Sequence, residues 1–194
     1  MAGDGPEWRY KPAMPADFEF SPLTEADLPM VQQWLQRPHV AAWWGPVESI
    51  QELHEDFLAG GTTRAFVAWH EGAPVGFVQC YVVLGSGDGW WEDETDPGAR
   101  GIDQFVADAD RLGRGLGSAM VAAFVERLFA DPAVTKVQTD PAPHNLRAIR
   151  CYRRAGFLPV GEVVTPDGPA LLMVRTRNEG AGTRPAPEGS GSRD

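Results

Sequence analysis

The stretch from Gly101 to Ala130 constrains the fold of this chain more than any other. Gly101 to Ala107 (Gly-Ile-Asp-Gln-Phe-Val-Ala) reads as a strand, and Leu112-Gly113-Arg114-Gly115-Leu116-Gly117-Ser118 follows closely. From Ser118 to Ala130, the residues Val121, Phe124, Val125 and Leu128 recur at helical spacing on one face. The chain must therefore pass from strand to helix through a glycine-rich turn. Glycine supplies the positive φ of a tight turn and lets a ligand approach the backbone. The helix start offers unpaired N–H groups to an anion, for which a pyrophosphate is the natural guest and Arg114 a cationic partner. A plain tight turn would use the same glycines. The run lacks the Gly-Lys-Ser/Thr ending of a Walker motif.

The other elements arrange themselves around this unit. Phe18 to Leu23 forms a short strand, and Thr24, with Asp27 three residues on, caps a helix striped by Leu28, Val31, Trp34 and Leu35. A second helix is expected from about Val47, with Ile50, Leu53, Phe57 and Leu58 inward, ending at Gly60-Gly61. Ala65 to Trp69 and Val75 to Val83 read as strands joined by the turn Glu71-Gly72-Ala73-Pro74. A long loop runs from Gly85 to about Gly98. Beyond the central unit come a strand (Val134 to Thr139), a helix (Asn145 to Ala155) and two closing strands (Phe157 to Val164, Ala170 to Thr176). The order β-α-α-β-β-β-α-β-α-β-β predicts a mixed α/β sandwich rather than an alternating doubly wound sheet. Residues 1–17 and 178–194, rich in Pro, Gly and Ala or Ser without periodicity, are expected to be disordered tails flanking one domain, 18–177.

Charge narrows the function classes. A formal net charge of −10 makes nucleic acid and anionic membranes poor partners. No apolar run approaches the roughly 18 residues of a membrane span, and no basic-then-apolar signal segment opens the chain, so the cytosol is the expected location. Cys80 and Cys151 are expected as reduced thiols, and His39, His54 and His70 show no metal-site spacing, so no metal is expected. The acids are uneven: Asp88, Glu92, Asp93, Glu94, Asp96, Asp103, Asp108 and Asp110 lie close together, with Arg100 the only base among residues 88–110. Trp90, Trp91 and Phe105 share the stretch. It suits either a solvated acidic loop or a cradle for a cationic ligand.

A second constellation spans Asn145-Leu-Arg-Ala-Ile-Arg-Cys-Tyr-Arg-Arg-Ala-Gly-Phe157. Ile149 and Tyr152 share a helical face, whereas Arg147, Arg150 and Arg154 turn to solvent or phosphate. Taken alone, Tyr152 is either a core aromatic or a proton donor. His144 reads as a capping or surface residue, and Cys151, without a His/Asn constellation, as a buried thiol. Trp43 and Trp44 either wall a pocket or pack under the first helices.

The run Leu-Gly-Arg-Gly-Leu-Gly, followed about 30 residues later by Asn-x-x-Ala-x-x-x-Tyr-x-x-x-Gly-Phe, resembles the GNAT acyl-CoA signature. Leu112 stands where that superfamily commonly has Gln or Arg, which leaves a pyrophosphate to backbone N–H groups and Arg114. Leu84-Gly-Ser-Gly-Asp-Gly-Trp-Trp-Glu, Asp96-Pro-Gly-Ala-Arg-Gly-Ile-Asp-Gln-Phe, Gln138-Thr-Asp-Pro and Thr165-Pro-Asp-Gly-Pro-Ala are similar to the Ib-type aminoglycoside 6′-N-acetyltransferases. This closer likeness covers roughly residues 22–177 and is weakest from Pro46 to Thr63. The resemblance implies a GNAT-type mixed, splayed β-sheet flanked by helices. It implies acetyl-CoA as co-substrate and a polycationic aminoglycoside as partner, acetylated at its 6′-amine. Under it Asp103 is the general base and Tyr152 the acid toward the CoA sulfur. Gln104, Phe105 and Val106, together with Gly113, Arg114, Gly115, Leu116, Gly117 and Ser118, hold the cofactor, and Asn145 meets it from the other side. Asp88, Asp103 and Asp140 meet the drug amines, and Trp90 and Asp167 line the same pocket; Trp44 is a candidate for its wall on its own account. A monomer is the expected state, with a dimer as the alternative.

The chemistry agrees with those roles. An ammonium must lose a proton before it attacks a thioester, and a free Asp, with pKa about 3.9, is a weak base unless burial and like charges raise it. Asp88 and Asp140 are expected to do so for Asp103. Three carboxylates at the mouth would steer a polycation inward. A backbone N–H near Phe105 would meet the oxyanion, and a Tyr with pKa about 10 would protonate the leaving thiolate. Two other functions use the same residues. One is a GNAT acting on a smaller amine or hydroxylamine such as a siderophore precursor, which needs fewer acids. The other is a non-catalytic binder of drug or acyl-CoA, which binds without turnover. The glycine turn carries its own prediction. Gly115→Asp should abolish acetyl-CoA binding by calorimetry while the variant stays folded, because a side chain and a negative charge enter the pyrophosphate cradle.

Overall fold

A computed structural model describes residues 18–45 and 49–177; the two expected tails and the expected helix start at Val47 lie outside the described residues. Seven strands among these residues form one sheet: β1 (Phe18–Pro22), β2 (Arg64–His70), β3 (Ala73–Val82), β4 (Ala99–Val106), β5 (Lys136–Thr139), β6 (Leu158–Thr165) and β7 (Gly168–Thr176). Their order is β1-β2-β3-β4-β5-β7-β6. Every neighbouring pair is antiparallel except β4–β5. That parallel pair is short, with Ala99 opposite Lys136, Arg100 opposite Val137 and Gly101 opposite Gln138. Past Gly101, β4 continues against β3 alone, from Ile102 opposite Cys80 to Val106 opposite Gly76. The sheet is thus mixed and splayed, as the resemblance implies.

Helices cover both faces. On one side lie α1 (Leu28–Leu35), α2 (Pro38–Trp44) and α3 (Ile50–Phe57), whose Leu28, Val31, Leu35, Val40 and Leu53 form a core with Val67, Phe77 and Phe105. On the other, α4 (Leu116–Phe129) and α5 (Leu146–Arg154) bury Met120, Val121, Phe124, Val125, Ile149 and Tyr152 against Ile102, Val106 and Val137. Each fully buried aliphatic side chain of this kind contributes roughly 1.5–3 kcal/mol over its exposed state. The Thr24–Asp27 capping box forms as expected, Asp27 Oδ2 accepting from Thr24 N at 2.9 Å. It opens a 3-10 turn, Glu25–Asp27, that leads into α1.

Three helices stand between β1 and β2 where two are expected. The additional one, α2, begins with Pro38 in its first turn, where the missing N–H costs nothing, and ends at Gly45 with φ +72°. The next helix is capped by Ser49, whose hydroxyl accepts from Glu52 N at 3.2 Å. Leu53 is fully buried, but Ile50, expected inward, is 37% exposed. It sits in the first turn of α3, where no preceding turn covers it.

The expected long loop between β3 and β4 is a folded structure. Gly85, Gly87, Asp88, Gly89 and Trp91 all have positive φ, and Gly87 bridges to Trp90. Its acids are partly structural: Glu94 pairs with Lys136 at 2.7 Å, and Asp96 accepts from Thr135 Oγ1 at 2.6 Å and from Gly98 N at 2.8 Å. These contacts pin the loop to the outer end of β5. At the other end of β4, Gly76 lets β3 lie close to its neighbours, because a Cβ there would stand 2.4 Å from the Phe105 carbonyl oxygen and 3.2 Å from Met120 Sδ. A backbone atom cannot yield as a side-chain tip can. Gly76→Ala should therefore destabilise the fold by about 1–3 kcal/mol in denaturant unfolding, against the usual gain from Gly→Ala.

Candidate active site

Where β4 parts from β5, the molecule opens into a cavity of about 1010 Å³. Alternation along β4 sends Asp103 and Phe105 to one face and Gln104 and Val106 to the other, and all four line the cavity. Phe105 stacks on Phe77 with ring centroids 5.3 Å apart. Trp44 meets both rings edge-on, at 5.5 Å from Phe77 and 5.2 Å from Phe105. Trp44 therefore packs under the helices and walls the cavity at once. Trp43 lines it too and lies against the His144 ring at 5.2 Å.

Carboxylates gather at one end. Asp103 is enclosed, and Gln79 Nε2 donates to its Oδ2 at 2.9 Å. Burial pushes the Asp103 carboxyl above its ordinary range, the Gln79 hydrogen bond opposes this, and Asp167 adds to it. Asp140 is pushed up to about 7 by burial and by the charges of Asp103 and Asp167. Asp88 behaves differently from expectation: it is exposed, with φ +52°, and is not among the residues lining the cavity. The like charge acting on Asp103 comes from Asp167. Two phenols close this end, Tyr81 and Tyr152, both lining the cavity. Burial first, then the charge of Asp103, pushes each phenol far above its usual value. Both remain protonated throughout the neutral range.

The opposite end suits an anion. Gly113 (φ +74°) and Gly115 (φ +92°) have open space where a Cβ would stand, whereas a Cβ on Gly117 would touch Val106 Cγ2 at 3.3 Å and Cys151 Sγ at 3.4 Å. Gly115 is the N-cap of α4 and brings no side-chain bond to the helix start. Gly113, Gly115, Gly117 and Ser118 line the cavity, while Arg114 is exposed and Leu116 packs against the core; neither is among the lining residues. Arg147, Arg150 and Arg154, one stripe of α5, line it instead. Asn145 lines it while capping α5, its Oδ1 accepting from Ala148 N at 3.1 Å. Trp90 and Asp167 complete the rim. Among the described residues no group of three or more His, Cys, Asp or Glu is placed to hold a metal ion, and no helix is long and apolar enough to cross a membrane.

Gln79 and Tyr81 were not singled out by sequence reasoning, although a signal existed. Read at period two, the strand after Val75 puts Phe77, Gln79 and Tyr81 on one face, and the sheet register then sets Gln79 opposite Asp103 and Tyr81 opposite Gly101. Gly101 makes room for that ring: a Cβ there would stand 2.0 Å from Tyr81 Cζ. The raised Asp140 carboxyl has a consequence for stability. Its folded value lies above its unfolded one, so the protonated form favours folding and that contribution is lost as pH rises through about 7. Asp140→Asn should accordingly raise Tm relative to the parent by an amount that grows between about pH 4 and about 7 and levels off above, with the two proteins nearly alike below about pH 4, as read by thermal melts side by side.

The GNAT acetyltransferase domain family matches residues 24–165. An aminoglycoside N(6′)-acetyltransferase type 1 of Klebsiella pneumoniae is 53% identical over 169 residues, covering 84% of each chain. The crystal structure of aminoglycoside acetyltransferase AAC(6′)-Ib in complex with coenzyme A and kanamycin superimposes with TM-score 0.79 at 52% identity, covering 83% of this chain and 95% of that one. The structure of the same enzyme with ribostamycin and coenzyme A gives 0.81 at 51% identity, covering 86% and 97%. With a glycine cradle, an open strand edge and a carboxylate pocket in one cavity, this chain belongs to the GNAT acetyltransferases, and within them to the aminoglycoside 6′-N-acetyltransferases.

Proposed function

We propose that this protein transfers acetyl from acetyl-CoA directly to the 6′-amine of kanamycin-class aminoglycosides, without a covalent enzyme intermediate. One observation carries the reading: a single cavity holds Asp103, Asp140 and Asp167 at one end and Arg147, Arg150 and Arg154 beside the glycine turn at the other. A polycation and a polyanion can enter from opposite sides and meet at the open edge of β4. The carboxylates also favour a polycationic acceptor over a small monoamine.

Acetyl-CoA supplies the thioester. The residues fit it, because the turn at Gly113 and Gly115 is open and the start of α4 has no side-chain cap. In this reading the N–H groups at Gly115 to Ser118 and the three arginines hold its phosphates, while Gln104 and Val106 flank its pantetheine arm. The Phe105 segment of β4 offers backbone N–H to the developing oxyanion. Asp103, out of water, takes the proton of the amine. Tyr152, held as a phenol, hydrogen-bonds the departing sulfur. Asp140, Asp167 and Trp90 bind the rest of the drug. Dependence on acetyl-CoA places the activity in the cytoplasm.

Two measurements test this. Mass spectrometry and NMR of the kanamycin product should locate a single acetyl group on the 6′-amine; acetylation elsewhere, or binding without turnover, would sink the assignment. Asp103→Asn should keep acetyl-CoA affinity and lose kcat by about 10²–10⁴. A rise in KM alone, with kcat near the parent value between about pH 6 and 9, would leave Asp103 as a cation anchor only.

A further inference from the structure

Gln79 has no part in the steps above, yet it is the residue bonded to Asp103. The two are register partners across β3 and β4, and both line the cavity. The 2.9 Å bond from Nε2 to Asp103 Oδ2 settles which way the amide faces, because the reverse orientation would set a carbonyl oxygen against a carboxylate oxygen. Gln79 Oε1 is then buried and has no hydrogen-bond partner among the described residues. A buried carbonyl left unmet is unfavourable, and this one belongs to a side chain of the cavity wall, beside the base. The atom is closed to solvent in the empty protein, so a donor arriving with the substrate would meet it only after the neighbouring side chains shift.

We infer that Gln79 is a positioning residue for acetyl transfer, fixing the Asp103 carboxylate through Nε2 and accepting an N–H of the acceptor amine through Oε1. The inference rests on Asp103 being the base. With Oδ2 held by Gln79, Oδ1 is left to take the proton. The ammonium gives one proton to Oδ1, and the bonding pair stays on nitrogen as its lone pair. One of the two remaining N–H bonds is held by Oε1, so the lone pair is turned in a defined direction, toward the thioester carbon. A strand-borne amide suits this task, because its pairing partner in the sheet is the base itself.

The groups facing Asp103 are Asp140, Asp167 and the phenols of Tyr81 and Tyr152, and Gln79 supplies the hydrogen bond that favours its ionised form. Gln79→Met removes both polar ends and keeps the length of the side chain. It should lower kcat by about 10–100-fold with KM for kanamycin changed by less than about threefold. The acidic limb of kcat/KM should move to higher pH by about one unit, because the ionised base has lost its donor. In an Asp103→Asn background the same substitution should cost less than about threefold, since the two act as one unit. An equal loss in both backgrounds, or a loss of kcat with the limb unmoved, would assign Gln79 a structural role and overturn the inference. Calorimetric acetyl-CoA binding reports folding, with Gln79→Leu as the second variant; failure of both to fold would also overturn it. Parental kcat in Asp103→Asn alone would instead remove the base reading on which this one rests.

Discussion

The parallel pairing between β4 and β5 ends at Gly101, and most of what this molecule can do follows from that limit. Three residue pairs hold the strands together, after which β4 keeps one hydrogen-bonded neighbour and turns its other edge to the cavity. A free strand edge in a protein interior presents unmet N–H and C=O groups, which is unfavourable unless a ligand or water meets them. Here the edge runs from the carboxylate end to the glycine turn at α4. Two substrates bound as proposed would both be ordered along one backbone, and the reacting atoms would need no separate scaffold.

Holding that gap open requires support on both sides. The Gly85–Gly98 loop is fastened to the far end of β5 by Glu94–Lys136 and Asp96–Thr135, while the Phe77–Phe105–Trp44 cluster sets the inner wall. The acids around the gap consequently divide into two kinds. Glu94 and Asp96, held below their ordinary values by hydrogen bonds or by Lys136, stabilise the fold and lose that contribution as pH falls. Asp103 and Asp140 shift the other way because burial disfavours their charge. The second kind weakens the empty protein at neutral pH and would be relieved by a bound cation, the usual trade between stability and function.

Much of the site was legible in the residue order. The strand–glycine turn–helix unit, the Asn145–Phe157 segment and the acidic loop carried the family likeness, and the structure brings Asp103, Asp140, Asp167, Tyr152, Asn145, Trp44 and Trp90 to one cavity. Asp88 and Arg114 were less legible, for a physical reason: each lies within two residues of one that does line the cavity, and a local turn rotates it outward. Asp88 sits at φ +52° next to Gly89, and Arg114 stands between two glycines of positive φ. Helix α2 was missed, although its Pro38 occupies the one part of a helix that tolerates proline.

By itself the sequence determined the period of most elements, the glycines that allow the turn into α4 and the cap at Thr24, because these depend on neighbours within a few residues. Ser49, Gln79 and Tyr81 carried readable signals of the same local kind. Only the tertiary structure decided which charges meet. Asp103 is paired with Gln79 across a strand register 24 residues apart, pressed by Asp167 from beyond β6, and shifted by its burial in the cavity wall. Burial and through-space charge set the proton affinity of a carboxylate, and neither is a property of the residues beside it in sequence.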